Sequence, residues 1–361
     1  MTAQPGSPGD SRLHQIDALR GIAAALVAFV FHQYYLTGIY RSGPLMGLPG
    51  FTWLHKHGYT MVDLFFVISG YIFCHVYLRG RAMTARAGDF AVARLARLYP
   101  LHLLTLIAAA VILHLGDPVG MGYLATDPWH FVLNLLLLQE SGLNDGHNFN
   151  LPAWSISVEI YCYILFYALA KRFPARLPAI SAVIVIAALA VTLGDSASGD
   201  RIARGLCGFF AGVLAWHFRD ARKWMLIALV IVPLLLFRQI EGVSKAAVLG
   251  ATTFPALVLL ARHIPLLAAQ SLQWLGSRSY SIYLIHAPVF WVLNLIAFDG
   301  HKLSKPVAGV AILIAIPCVL ALSDLSYRCF EEPLRKWLRA RWQARGKSAR
   351  GRADQRPVCG T

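Results

Sequence analysis

The chain has 361 residues, of which 57% are hydrophobic and only 14% are charged, and its formal net charge is +15. A chain this apolar is not an ordinary soluble domain, so the sequence predicts an all-α membrane protein, a polytopic bundle of about ten transmembrane helices. The positive charge does not indicate nucleic acid as a partner, because the Lys and Arg residues concentrate in alternate loops and in a C-terminal tail.

Ten apolar windows of about membrane length follow one another along the chain. They cover residues 16–37, 60–78, 99–115, 153–170, 178–193, 202–218, 224–237, 246–261, 280–298 and 306–325. An eleventh run, 129–138, is shorter than a span and is expected to be re-entrant or interfacial. If both termini are cytoplasmic, 25 of the 33 Lys and Arg residues fall on the inner side. This asymmetry predicts that orientation.

The windows divide the chain into three parts. Residues 1–15 form a cytoplasmic leader, 16–333 the membrane domain, and 334–361 a basic cytoplasmic tail that is expected to be disordered. The tail either attracts anionic membrane lipids or is a solubility tail with no specific ligand. The six cysteines have no paired spacing, so the sequence predicts neither a disulfide framework nor a metal site.

The first window carries a cation at one end and a histidine near the other. Arg20 and His32 are twelve steps apart, or ~18 Å along a helix. An ionisable group so deep in a membrane is costly, so His32 is a functional hypothesis; the alternative is a neutral imidazole bonded to a neighbouring helix.

Two carboxylates lie inside later windows. Asp63 follows the start of the second window by three residues, and Glu159 lies about six residues inside the fourth. With His32, they are predicted to share one depth, ~5 to 10 Å below the outer surface, where a histidine beside a carboxylate can act as a general base. Asp63 is either a pocket residue or a cap at the outer end of its helix.

Other polar groups lie at the ends of the windows. Arg94 and Arg97 share a helix face and suit a polyanion such as coenzyme phosphates, unless they are only a topology signal. The long outer stretch 116–152 is a natural lid or acceptor-binding surface. Farther on, Tyr283 and His286 follow Tyr280 at three-residue spacing. Either this stripe lines a cytoplasmic opening, or Tyr280 is only an interfacial anchor.

Six segments in order resemble the acyltransferase 3 family of membrane O-acyltransferases. They read DALRGIAA with a later FH, VDLFFVISGY, RLARLYP, WSISVEIY, LGSRSYSIYLIH and FEEP. The resemblance implies an acyl-CoA donor, most simply acetyl-CoA, on the inner side of a bacterial cytoplasmic membrane. It also implies transfer to a hydroxyl of an extracytoplasmic carbohydrate, such as a surface polysaccharide or lipopolysaccharide.

The competing interpretation is a proton-coupled transporter or flippase of a glycan or lipid-linked substrate, although no internal repeat is visible.

The resemblance also implies roles for single residues. The catalytic pair would be His32 and its acidic counterpart Glu159. The donor-binding residues would be Arg20, Arg94, Arg97, Tyr283 and His286, and the acceptor-binding residues Asp63, Ser69, Trp154 and Ser155. No metal is implied.

One departure from the family pattern is structural. Eleven residues separate Arg20 from His32, where the family has ten. A regular helix would therefore turn His32 about 120° away from Arg20, so we predict a π-bulge between Ala25 and Phe31. A hydrolase domain of the SGNH type, which some members of the family carry, is not expected despite the run Gly194, Asp195, Ser196.

Overall fold

The computed structural model describes residues 10–37, 51–79, 82–118, 124–144, 146–194, 200–235, 244–298, 301 and 303–354. Within these ranges the chain is almost entirely helical. The helices are α1 Asp10–Ala25, α2 Tyr34–Thr37, α3 Phe51–His57, α4 Met61–Tyr77, α5 Ala87–Leu115, α6 Pro128–Leu135, α7 Trp154–Arg172, α8 Leu177–Gly194, α9 Asp200–His217, α10 Lys223–Leu235, α11 Ser244–Ala251, α12 Thr253–Ala261, α13 Gln270–Ser277, α14 Ser279–Phe298, α15 Lys305–Ser326 and α16 Glu332–Asp354. Two short strands, β1 Leu78–Arg79 and β2 Ala82–Met83, pair antiparallel.

The all-α polytopic architecture is confirmed. In the described ranges, seven helical stretches are long and apolar enough to cross a membrane: His14–Leu36, Phe51–Tyr77, Ala87–Leu115, Leu151–Arg172, Pro174–Gly194, Ser279–Ala297 and Pro306–Arg345. The other three predicted windows correspond to α9, to the 13-residue α10, and to α11 followed by α12. The run 129–138 forms only the eight-residue α6, too short to span.

The burial pattern agrees with a bundle in lipid. Aromatic side chains fill the interior, among them the fully buried Phe73, Phe209 and Trp291. Large aliphatic side chains point outward instead, as do Ile186 on α8 at 67% exposure and Leu313 on α15 at 70%. A soluble protein seldom exposes such side chains together, but a lipid-facing helix does.

Glycine allows α4 and α9 to approach each other closely. A Cβ on Gly70 would lie 1.9 Å from the carbonyl oxygen of Phe209, and a Cβ on Gly212 would lie 2.0 Å from that of Val67. Neither position has room for any side chain. In a membrane the hydrophobic effect does not drive helices together, so helix association depends on van der Waals packing. Small residues at a crossing allow that close packing. This crossing fixes the face of α4 that carries Asp63.

The predicted disorder of the C-terminal tail is wrong for its first part. The chain continues from α15 through a π-helix, Tyr327–Glu331, into α16. Trp342 Nε1 donates to an Asp89 carboxylate oxygen at 2.7 Å, and the same indole occupies the space that a Cβ on Gly88 would need. Composition alone suggested a solvated tail, whereas tryptophan packing against α5 orders it. Residues 1–9 and 355–361 lie outside the described ranges.

Candidate active site

Arg20 is held in place at the end of the bundle where α1 begins. The backbones of α1 and α13 cross closely there, because a Cβ on Gly21 would lie 2.5 Å from the backbone nitrogen of Gly276. This crossing lets Arg20 Nη2 donate to the Gly276 carbonyl oxygen at 3.1 Å, while its Nε donates to the Ser279 hydroxyl at 2.8 Å. The guanidinium also pairs with Asp17 at 3.0 Å. Its position is therefore set by the protein itself.

A central cavity of about 70 Å³ lies among α1, α4, α5, α7 and α14. It gathers seven of the residues that the sequence singles out. They are Arg20, Ser69, Arg94, Arg97, Ser155, Glu159 and Tyr283. The rest of its described lining is apolar or aromatic, apart from the hydroxyls of Tyr163, Ser279 and Tyr280.

The central cavity carries an excess of positive charge. Three arginines line it, against one carboxylate, Glu159, among its described lining residues. Arg94 is 9% exposed, and its guanidinium lies 4.8 Å from the centre of the Phe73 ring. In the part of the chain that the structure describes, the Arg94 Nε has no hydrogen-bond partner. A buried cation with unused donors favours an anionic ligand.

Glu159 faces this cavity through bonds that orient its carboxylate. Ser69 donates its hydroxyl to one carboxylate oxygen at 2.6 Å, and the Tyr163 hydroxyl donates to the same oxygen. Tyr163 was missed at the sequence level. Its position four residues after Glu159 on the same helix is the signal that could have identified it.

A second cavity continues the central one toward the end of the bundle formed by the starts of α1 and α16, which we name the basic end. The two cavities share Arg20, Ile72, Arg97 and Tyr280 in their walls. The second cavity has a volume of about 300 Å³ and is also lined by Asp17, Ser277, Tyr327, Glu331, Glu332 and Arg335. An elongated ligand that enters at the basic end can therefore reach Glu159.

His32 pairs with a second histidine, not with a carboxylate. Its Nδ1 lies 2.7 Å from Nε2 of His286, and both residues are buried. His286 Nδ1 lies 3.1 Å from the Ile282 carbonyl oxygen, which can only accept, so that nitrogen carries the proton. The neutral His286 therefore accepts at Nε2 from His32 Nδ1–H. This leaves the lone pair of His32 on Nε2, as a general base requires.

The predicted π-bulge is confirmed. Residues Leu26–Val30 form a π-helix, and a 3₁₀-helix, Phe31–Gln33, follows it directly. The extra residue is absorbed between Arg20 and His32. His55 Nδ1 donates to the Val30 carbonyl oxygen at 2.6 Å, which satisfies a carbonyl at the end of the irregular turn.

The prediction that His32, Asp63 and Glu159 share one depth is wrong. Glu159 bonds to Ser69, which is six residues, or ~9 Å, farther along α4 than Asp63. Counting residues inward from estimated helix ends missed this offset, because the ends of the windows were uncertain. Consequently Glu159 lies with the arginines, and the described structure gives it no contact with His32.

Asp63 is not in the central cavity. It is 0% exposed, and its two carboxylate oxygens accept from Arg204 of α9 at 3.1 and 2.7 Å. The Arg204 guanidinium also lies 5.5 Å from the ring centres of Tyr59 and Trp154. Arg204 was not singled out at the sequence level, so the pair was missed. A carboxylate inside an apolar window needs a buried cation, and that requirement is the signal that was available.

The other predicted residues divide between the central cavity and its surroundings. Ser155 donates to the Tyr283 hydroxyl at 3.0 Å, and Tyr283 donates to the Pro152 carbonyl oxygen at 2.9 Å. Trp154, the neighbour of Ser155, is not among the described residues that line the central cavity. His286 leaves the predicted stripe: Tyr280 and Tyr283 line the central cavity, whereas His286 lies behind Tyr283, with their ring centres 6.2 Å apart.

Comparison with known proteins gives one family match. The sequence model of the acyltransferase domain, the hallmark of the acyltransferase 3 family, matches residues 13–327. The YrhL protein of Bacillus subtilis, which carries a provisional peptidoglycan O-acetyltransferase name, is 26% identical over 339 residues, covering 79% of this chain and 51% of YrhL. The peptidoglycan O-acetyltransferase OatA of Listeria monocytogenes is 24% identical over 335 residues, covering 79% of this chain and 52% of OatA.

Another relative matches a shorter stretch of the chain at a higher sequence identity. Acyltransferase MdmB of Streptomyces mycarofaciens is 35% identical over 130 residues, covering 33% of this chain and 31% of MdmB. The chain spans about half the length of the two O-acetyltransferase relatives. No solved structure matches it.

Proposed function

Because the chain belongs to the acyltransferase 3 family and is therefore an acyl-transferring membrane enzyme, we propose that it moves an acyl group, most simply acetyl, from cytoplasmic acyl-CoA to a hydroxyl of an extracytoplasmic carbohydrate. The observation that carries this proposal is the pair of joined cavities. They lead from the basic end to a group of three arginines, and beyond them to Glu159.

The arginines fit the phosphates of a coenzyme in number and in setting. Arg20 is fixed by its bonds to α13 and α14, and Arg94 keeps a donor without a partner among the described residues. Arg97 lines both cavities and so faces the path between them. Guanidinium groups bind phosphate through forked, permanently charged donors, which suits a ligand with several phosphates.

The proposed chemistry places the base beyond the central cavity. Along the helical stretch His14–Leu36, His32 lies ~18 Å from Arg20. Phosphates held at the arginines therefore leave the long arm of the coenzyme to carry the thioester toward His32. His32 Nε2 removes the proton of the acceptor hydroxyl while that oxygen attacks the thioester carbonyl carbon. A C–O ester bond forms, the C–S bond breaks, and the proton passes to the departing thiolate. His286 keeps His32 in the required tautomer.

The orientation follows from the charge distribution. We propose that the basic end faces the cytoplasm of a bacterial inner membrane and that both termini lie there. The stretch 124–150 then lies on the outer side, where a surface polysaccharide or lipopolysaccharide is available. The names of YrhL and OatA support a carbohydrate acceptor of this kind.

The test is transfer of radiolabelled acetyl from acetyl-CoA to envelope glycans by sealed vesicles that contain the full chain. We expect transfer only when acetyl-CoA is on the face that carries the basic end, and we expect His32→Ala to reduce it at least a hundredfold at equal expression. His114→Ala removes an exposed histidine on α5 and serves as the matched control. Transfer that His32→Ala leaves unchanged would contradict the assigned base. Complete absence of acetyl-CoA turnover in the wild type would contradict the proposed function.

A further inference from the structure

A third cavity lies at the end of the bundle opposite the basic end. Five amide side chains line it: Asn134, Gln139, Asn144, Asn148 and Asn150. Its volume is about 10 Å³, which is room for about one water-sized group. We name it the amide cavity. The acyl-transfer scheme above does not use these residues.

Two of the amides present acceptor atoms without partners. Gln139 is 3% exposed and Asn150 is 2% exposed. Gln139 Nε2 donates to the Ala153 carbonyl oxygen at 2.9 Å, and Asn150 Nδ2 donates to the Leu284 carbonyl oxygen at 3.1 Å. These bonds fix which end of each amide is nitrogen, because a carbonyl cannot donate. The remaining oxygens, Gln139 Oε1 and Asn150 Oδ1, have no partner among the described residues.

Buried acceptors without partners indicate a ligand that donates hydrogen bonds. Leaving such an atom unpaired destabilises a folded protein, so two of them in one cavity call for an explanation. The other three amides are already engaged with one another and with the backbone, as in the bond from Asn148 Nδ2 to Asn144 Oδ1 at 2.8 Å. The lining of the cavity thus includes two buried acceptors that have no partner in the part of the chain that the structure describes.

The charges in the amide cavity cancel. Glu140 accepts from Arg201 Nη1 at 2.6 Å, so the described cation and the described carboxylate of the lining neutralise each other. His147 lies against Arg201, and burial together with that guanidinium lowers the pKa of His147 to about 4, which keeps the imidazole neutral at pH 7. An uncharged polyol meets this environment better than an anionic sugar does.

The amide cavity adjoins the proposed reaction site. Trp154 lines the amide cavity and the next residue, Ser155, lines the central cavity, so the first turn of α7 separates the two spaces. The backbone contact of Asn150 is with Leu284, two residues before His286. The amide cavity therefore contacts the part of α14 that leads to His286.

We propose that the amide cavity is an acceptor subsite that binds a hydroxyl-bearing edge of an uncharged sugar unit, with Gln139 Oε1 and Asn150 Oδ1 accepting from its hydroxyl or amide N–H groups. This assignment rests on the proposed function, because it names the acceptor of the same reaction. The small volume admits a single hydroxyl or amide N–H group from the edge of that sugar unit. The competing explanation is an internal water molecule that satisfies both oxygens.

The test uses the full chain in nanodiscs, with acetyl-CoA as donor and two soluble probes as acceptors: chitotetraose, which is uncharged, and a polygalacturonate tetramer, which is anionic. We expect chitotetraose to accelerate release of CoA and the anionic tetramer not to do so. Gln139→Met should raise the apparent KM for chitotetraose about tenfold while the KM for acetyl-CoA changes less than twofold, since one neutral hydrogen bond and its desolvation are lost. Asn150→Leu is a second variant with the same expectation.

Gln273→Met makes the same substitution near the basic end, where Gln273 bonds to the His14 carbonyl oxygen, and should change neither KM. Equal KM values for chitotetraose in wild type and both cavity variants would overturn the subsite and favour the internal water, as would acceleration by the anionic tetramer alone. A wild type that turns over acetyl-CoA but ignores both probes would also overturn it. A wild type with no acetyl-CoA turnover would instead overturn the proposed function from which the subsite follows.

Discussion

Replacing Asp63 by Asn should unfold the bundle more readily without touching the proposed chemistry. The substitution keeps the size of the side chain but removes the charge that Arg204 meets at 2.7 Å. The two side chains are 0% and 8% exposed. The guanidinium would remain near the rings of Tyr59 and Trp154 and would lose the carboxylate charge of Asp63.

The size of the effect follows from that burial. Breaking a buried ion pair by removing one partner costs about 3 to 5 kcal/mol, because the remaining charge is left uncompensated. Replacing both partners by leucine removes both charges and should cost far less, about 1 kcal/mol or below, since such replacements are often neutral. The expected signature is a double variant more stable than either single variant.

The assay is thermal unfolding of Asp63→Asn, Arg204→Leu and the Asp63→Leu/Arg204→Leu double variant in one detergent, with transfer activity measured on the folded fraction. Lys336→Gln breaks the exposed pair with Glu332 and should change stability by less than about 1 kcal/mol. If Asp63→Asn kept full stability and lost transfer, Asp63 would be a substrate residue, and the structural interpretation of the pair would be refuted.

Three further predictions test other parts of the molecule. Deleting Ala28 should restore a regular helix and keep acetyl transfer within severalfold of wild type. Inserting a second alanine after Ala28 should instead turn His32 by ~100° and abolish transfer. Transfer of the acetyl label measures both effects. Since burial lowers the pKa of His147 from 6.5 to about 4, the unfolded chain binds that proton more readily. Stability should therefore decrease as pH falls from about 6.5 to about 4, and His147→Asn should flatten the melting temperature over this range. Arg97→Gln should raise the KM for acetyl-CoA roughly tenfold or more through loss of a charged phosphate contact, whereas Arg79→Gln, at an exposed site on β1, should leave that KM unchanged.

The fold was predictable from the sequence because each helix that crosses a membrane must be long and apolar enough to span the hydrocarbon core. Apolar windows of sufficient length are visible without any tertiary information, and every predicted window coincides with helix in the described ranges. The shared face of Arg94 and Arg97 was also visible, since it depends only on helical periodicity. Both residues line the central cavity.

The partners of the buried polar groups were not predictable in the same way. Which helix supplies a partner depends on packing between distant segments: Arg204 is 141 residues from Asp63, and His286 is 254 residues from His32. Small residues decide this packing, because Gly70 and Gly212 set how closely α4 and α9 approach. Those glycines are apparent in the sequence, but the helix against which each of them packs is not.

The π-bulge shows how these long-range constraints act on a local sequence. The basic end of α1 cannot slide to absorb an extra residue, because Gly21 and Gly276 meet backbone to backbone and Arg20 is bonded to that crossing. The other end is equally fixed, since His32 is bonded to His286. With both ends held, the extra residue must be accommodated between them, and a π-turn does so while keeping both side chains on their faces. The irregular helix is therefore a consequence of two fixed ends. It lies between Arg20 and His32 because the extra residue cannot be accommodated at either of them.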